Sequence, residues 1–279
     1  MRAALVTVSV GLACALSVSM ARAQDSSHAL PEYTRRSLVL PSGQFVGRIG
    51  IGLAGSNTPT GTFIRSAFGA GLHFEGQAGL GRSFELSAGW GLRLPSDGET
   101  LAADRYARVD REEVFQVGSV FIGNPYARLR YGIIDAPDRA VHAGAEVTLV
   151  FPLAALTVWS VGFGMPVHLT VSAAHMRIET GLFWQFILSG NASIWNVLNI
   201  PVRVMFQLGS SFALGAVSGV YIANVGAADV SSPRVPLGVQ AAIRIAPSTD
   251  LLVQWLFPTI APYGTDYGGL GITVAGRAR

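Results

Sequence analysis

Side chains at residues 68–80 and 84–94 switch character at every position. In the first run the even positions are Phe68, Ala70, Leu72, Phe74, Gly76, Ala78 and Leu80, against Gly69, Gly71, His73, Glu75, Gln77 and Gly79. In the second they are Phe84, Leu86, Ala88, Trp90, Leu92 and Leu94, against Glu85, Ser87, Gly89, Gly91 and Arg93. Successive side chains of a strand point to opposite faces, so each run has one apolar face and one small or polar face. A helix would mix the two sets around its circumference.

Later stretches, 147–176, 180–202 and one from 204 onward, carry no charged side chain, and by hydropathy alone each reads as a spanning helix. Such a helix needs about 20 consecutive apolar residues. Pro152 and Pro166 interrupt the first stretch, Ser189-Gly190-Asn191 the second and Gly209-Ser210-Ser211 the third. The pieces between breaks are strand-sized, about 9–11 residues.

The same period places strands at 45–54, 68–80, 84–94, 126–134, 139–151, 166–173, 176–187, 200–208, 212–222, 236–246, 251–257 and 269–275. Gly, Pro, Asp and Ser join them in pairs through tight turns. Between pairs lie long connections at 55–67, 95–125, 152–165, 188–199, 223–235 and 258–268. Short turns at one end, long loops at the other and an even count of about twelve strands give an all-β fold. It is a transmembrane antiparallel up-and-down β-barrel over residues 45–279. Closure pairs every backbone N–H and C=O that lipid would otherwise strand.

Composition agrees: charged residues make up 13% of the chain, where soluble proteins carry about a quarter. Residues 1–23 have the layout of a secretory signal peptide, with Arg2, an uncharged apolar stretch and Ala21-Arg22-Ala23 as cleavage site. An uncut anchor helix is the alternative, and Cys14, with Gly11 where a lipobox needs a branched residue, offers a weaker lipoprotein reading. Residues 24–44 then form a periplasmic N-terminal segment. Removing Arg2 and Arg22 leaves 18 Arg against 17 Asp+Glu, so no basic stripe and no nucleic-acid partner is expected. No Cys remains beyond residue 23, no phosphate-cradling Gly loop opens a helix and no spacing fits a calcium loop. Neither cofactor nor metal is expected.

Hairpins share a grammar in Met165-Pro166-Val167-His168-Leu169, Ile200-Pro201-Val202-Arg203-Val204 and Val235-Pro236-Leu237-Gly238-Val239. Asn124-Pro125-Tyr126-Ala127-Arg128-Leu129 is a looser copy. Each Pro is expected at a strand's first residue, where it removes no interior ladder bond. Together with Leu38-Val39-Leu40-Pro41-Ser42-Gly43, these motifs resemble bacterial outer-membrane transporter-like barrels of the phenol-degradation meta-pathway porin type, across most of 37–275. The resemblance implies export to the outer membrane of a Gram-negative bacterium, contact with its lipid and lipopolysaccharide, insertion by the barrel assembly machinery and passage of a small-molecule solute. Many such barrels end in an aromatic residue; this chain ends Gly276-Arg277-Ala278-Arg279.

Residues expected to line the lumen are Arg48, His73, Glu75, Gln77, Glu85, Arg93, Arg128, Arg130, His142, Glu146, His168, Arg177, Glu179, Gln185, Arg203, Gln207, Gln240, Arg244 and Gln254. They read either as a polar network filling a narrow, non-conducting structural barrel or as the walls of a selective pore. Phe45, Phe68, Phe84, Tyr126, Phe151, Trp184, Phe186, Phe206, Phe212, Tyr221, Trp255 and Phe257 fall near strand ends, as interfacial girdles require. Loops 152–165 and 188–199 are unusually apolar. They are either strand extensions, an inward plug, or a capture site in which Trp159, Phe163 and Trp195 hold a hydrophobic or aromatic solute. The chain reads as a pore rather than an enzyme. An outer-membrane lipid hydrolase would need its Ser–His pair on the outer wall, and none of His28, His73, His142, His168 and His175 meets an activated Ser in strand register.

Overall fold

The computed structural model describes residues 31–60, 63–95, 124–136, 139–151, 159–188, 196–226, 233–260 and 267–278, with backbone alone at 56–60, 63–68, 93–95, 258–259 and 267. Its strands are β1 Phe45–Thr60, β2 Phe63–Leu80, β3 Phe84–Pro95, β4 Tyr126–Ile134, β5 Val141–Val150 and β6 Trp159–Val171. They continue as β7 Met176–Leu188, β8 Asn196–Gly209, β9 Phe212–Ala223, β10 Val235–Ala246, β11 Thr249–Thr259 and β12 Tyr267–Ala278. Each pairs antiparallel with its neighbours in sequence, and β12 returns to β1 in the register Phe45↔Ala278 to Ser56↔Tyr267. The result is the closed twelve-stranded up-and-down barrel that the alternation requires. Among the described residues no helix is long and apolar enough to cross a membrane.

Three long connections shrink. The stretch 55–67, expected as a loop, is largely strand: β1 runs on to Thr60 and β2 begins at Phe63. β6 begins at Trp159 and β8 at Asn196, so much of 152–165 and part of 188–199 is also strand.

Prolines account for the underestimate at β6 and β8. Pro166 and Pro201 lie inside β6 and β8, not at their starts. The β5–β6 ladder skips from Ala143↔Val167 to Glu146↔Gly164, and the β7–β8 ladder skips from Thr180↔Val202 to Phe183↔Asn199. Each proline therefore sits at a gap in one ladder, where its missing N–H removes nothing.

The outward face carries no charged residue among the described strand side chains. Large apolar groups stand out from it, including Phe163 at 53% and Val239 at 58% exposure. Aromatic groups cluster at both rims. Phe84 and Tyr131, with centroids 4.8 Å apart, lie at the short-turn end. Phe151–Trp159, Trp184–Phe186 and Trp255–Phe257 lie at the other. Tyr126 and Tyr221, expected in the girdles, depart from this: strand parity puts both on the inward face, and Tyr126 is only 2% exposed. Phe68 lies outside the described side chains.

Candidate functional site

The lumen has two unlike walls, and the difference follows from which strand offers which alternate residue. From β1 to β8 the inward positions carry the charges. Arg48 of β1 stands across from Glu75 of β2. The Tyr126 hydroxyl donates to Glu75 Oε2 at 2.7 Å, and Gln77 Nε2 donates to its Oε1 at 2.6 Å. The Tyr126 ring lies parallel to His73 and over Gly89, where a Cβ would come within 2.5 Å of the hydroxyl. Glu146 takes two bonds from Arg130 and lies 3.7 Å from Arg128.

On the opposite side of this wall, His168, Glu179 and Arg203 follow one another across β6, β7 and β8. Arg177 Nε pairs with Glu179 at 2.7 Å, Arg203 pairs with the same carboxylate, and Arg177 also meets His168. Gln185 donates to Ser160, and His142 pairs with Asp135 at 2.8 Å. The three inward histidines thus belong to the polar network.

From β9 to β12 the inward face changes. Between its two rims it carries Val217, Tyr221, Gly238, Gln240, Ala242, Leu252, Gln254, Leu256, Gly269, Gly271 and Thr273, with no charge among the described residues. Arg244, Asp250 and Arg277 stand at the short-turn rim, and Arg234, bridged to Tyr221, stands at the long-loop rim. One register line runs Met205–Gly215–Gln240–Gln254–Gly271–Gly52–Gly71 across β8, β9, β10, β11, β12, β1 and β2. Its glycines leave that part of the wall without side chains. Val217, Gln254 and Leu256 keep intermediate exposure, whereas Arg128, Arg130 and Glu85 opposite are 1–3% exposed. Gly271, Gly52 and Gly71 are themselves buried and Gln240 and Leu252 are 1% exposed, so the exposure on this wall lies at such residues as Val217, Gln254 and Leu256.

Residues 31–44, anticipated as a periplasmic segment, cross the short-turn mouth as a strap. Pro31 O accepts from Arg244 at 2.7 Å, and Arg177 donates to Tyr33 O and Arg36 O at 3.3 and 2.8 Å. Thr34 N donates to Gln207 Oε1 at 3.3 Å, and Thr34 O accepts from Thr170 at 3.1 Å. The Arg36 guanidinium grips Asp250 with both nitrogens, at 3.0 and 2.9 Å. Leu38 N and Val39 N donate to the two oxygens of Asp135 at 2.7 and 3.0 Å, and Leu40 N donates to Glu85 at 3.0 Å.

Apolar contacts complete the seat. Tyr33 packs with Met205, Ala213, Ala242 and Leu252, and Leu40 with Val46 and Ala275. Gly144 makes room for the strap, since a Cβ there would come within 2.8 Å of Leu38 Cδ2. Ordering a residue costs about 1–2 kcal/mol, and a hydrogen bond to a charged group returns about 1.5–3 kcal/mol. From Pro31 to Leu40 the strap has nearly one such bond per residue.

All expected lining residues with described side chains fall on the inward face; the side chain of Arg93 lies outside the described residues. Trp159 and Phe163 do not form a capture loop. They belong to β6, and the strand's parity turns their rings outward, 51% and 53% exposed. Trp195 lies outside the described residues. Sequence reading missed Tyr33, Arg36, Tyr126, Asp135 and Asp250. The one available signal was the apolar run 38–40 flanked by Arg35-Arg36 and Pro41-Ser42-Gly43.

By fold the chain is a closed twelve-stranded barrel of the bacterial outer-membrane kind. It is similar to the NanC porin at 11% identity and a TM-score of 0.56, with 83% of this chain and 98% of that one covered. It is equally similar to an outer membrane channel from Pseudomonas putida F1, at 12% identity and a TM-score of 0.56, covering 86% and 97%. No protein-family model and no curated protein sequence matches it. The resemblance to outer-membrane barrels read from the sequence holds at the level of the fold.

Proposed function

We propose that this protein is an outer-membrane pore for small solutes whose short-turn mouth is closed by its own N-terminal strap. The uncharged, glycine-lined wall facing a packed charged wall carries this reading, because it gives a solute a lane with no ion to displace. Its apolar character favours hydrophobic or aromatic solutes over ions. The outward face, free of charge among the described strand side chains, and two aromatic rims fit a bilayer. Export through a cleaved segment 1–23, contact with lipid and lipopolysaccharide, and insertion by the barrel assembly machinery belong to the same proposal.

Tyr33→Ala tests it. Deleting a buried aromatic side chain costs about 3–5 kcal/mol, or more than two decades in the strap's docking equilibrium at about 1.4 kcal/mol per decade. Proteoliposomes holding the variant should therefore swell about tenfold faster or more in graded uncharged solutes than those holding the unaltered chain. Swelling no faster than that of empty vesicles in both cases would leave the alternative, a non-conducting structural barrel.

A further inference from the structure

We infer that Gln240 and Gln254 form a binding site for a small uncharged molecule bearing an amide, set in the uncharged wall just behind Tyr33. Gln240 is 1% exposed, and neither atom of its side-chain amide has a hydrogen-bond partner in the protein. An amide offers two donors and an acceptor, and burying it unpaired is unfavourable where a leucine of similar size would pack freely. Packing alone therefore does not explain this side chain.

Its surroundings describe the missing partner. Gln254 lies directly across on β11, followed by the inward glycines 271, 52 and 71. That row gives a shallow floor of backbone beside two amides. On the other flank the Met205 thioether leans over Gly215, where a Cβ would come within 2.6 Å of the sulfur. Methionine is unbranched and adapts to what it touches. Met205, Ala242 and Leu252 bury the ring of Tyr33 on the mouth side, so the strap closes the site below. The formal charges on this wall among the described residues, Arg234, Arg244, Asp250 and Arg277, sit at the two rims. An ion would have to shed its water with no countercharge at hand; an amide would exchange donor for acceptor with Gln240 and lay its apolar remainder on Met205.

The site depends on the pore reading for access and not for affinity, so binding and permeation are measured separately. The probe is isobutyramide, with isobutyrate as its charged isostere, followed by saturation-transfer NMR on the full-length chain refolded in detergent. Saturable isobutyramide binding is expected in the Tyr33→Ala chain and more weakly in the unaltered one. Gln240→Leu in either background should weaken it about tenfold or more, by loss of a paired donor and acceptor, without lowering the thermal midpoint. Gln254→Leu serves as the second variant should Gln240→Leu fail to fold. No binding in either background, binding unchanged by both leucine variants, or equal binding of isobutyrate would each overturn the site. Binding without vesicle swelling would retire the pore and keep the site; swelling without binding would do the reverse.

Discussion

Glu146→Ala is expected to destabilise the folded barrel by about 3–5 kcal/mol, the range for breaking a buried ion pair by removing one member. Glu146 faces Arg130 directly across the β4–β5 ladder, and Arg130 gives it two bonds, at 2.8 and 2.6 Å, both to Oε2. Arg128 stands 3.7 Å from the other oxygen, and the three side chains are 1–4% exposed. Alanine would leave two guanidinium groups side by side in a packed wall. The effect reaches the strap as well, because Arg130 also donates to Leu38 O at 3.5 Å. Glu146→Gln keeps the shape and an acceptor, and should lose clearly less. Denaturant titration in lipid vesicles measures both. A loss below about 1 kcal/mol for the alanine would mean that water screens this wall as it screens surface pairs.

Val204→Arg is expected to cost about 2–4 kcal/mol in a bilayer, the value for a cation on the lipid face near the midplane. Val204 lies midway along β8 and faces outward, with Ile178 and Ala216 as register neighbours. Leu72→Arg, between Ile51 and Leu92, should behave alike. Gln77→Arg differs by one face: Gln77 points inward and already bonds Glu75, so an arginine there gains a carboxylate partner. It should fold with nearly unchanged stability. Equal damage from inward and outward substitutions, by the same titration, would contradict the assignment of faces.

The barrel was legible because one period controls every strand. Inward Arg48, Glu75, Arg128, Glu146 and Arg177 and outward Leu72, Trp184 and Val204 follow from parity alone, whatever the loops do. Strand starts were less legible. Trp159, Val161, Phe163 and Met165 alternate with Ser160, Gly162 and Gly164 as cleanly as any run, yet Pro166 looked like the beginning of a strand. Which of its two ladders a proline interrupts is a property of the paired strand, and it does not show in the single one.

The strap was hidden for a different reason. The wall binds mainly its backbone: Asp135, Glu85, Arg177 and Arg244 meet N–H and C=O groups that every sequence possesses. Asp135 and Asp250 flank short turns, where an aspartate is already explained by turn chemistry. Tyr126 was misplaced because an aromatic near a strand end fits a girdle as well as a lumen. Only the small inward residues opposite it, Gly89 above all, reveal the face it occupies.

Whether residues 31–44 occupy the mouth decides most of what is claimed for this protein. Cysteine accessibility reads it directly, in a chain whose single native cysteine is replaced by Cys14→Ser. Val39→Cys, at a position 4% exposed beneath Asp135, should resist a membrane-impermeant maleimide in the folded barrel, while exposed Ser42→Cys reacts at once. Equal labelling of the two sites would show the segment hanging free of the barrel, and the closed mouth would have to be abandoned.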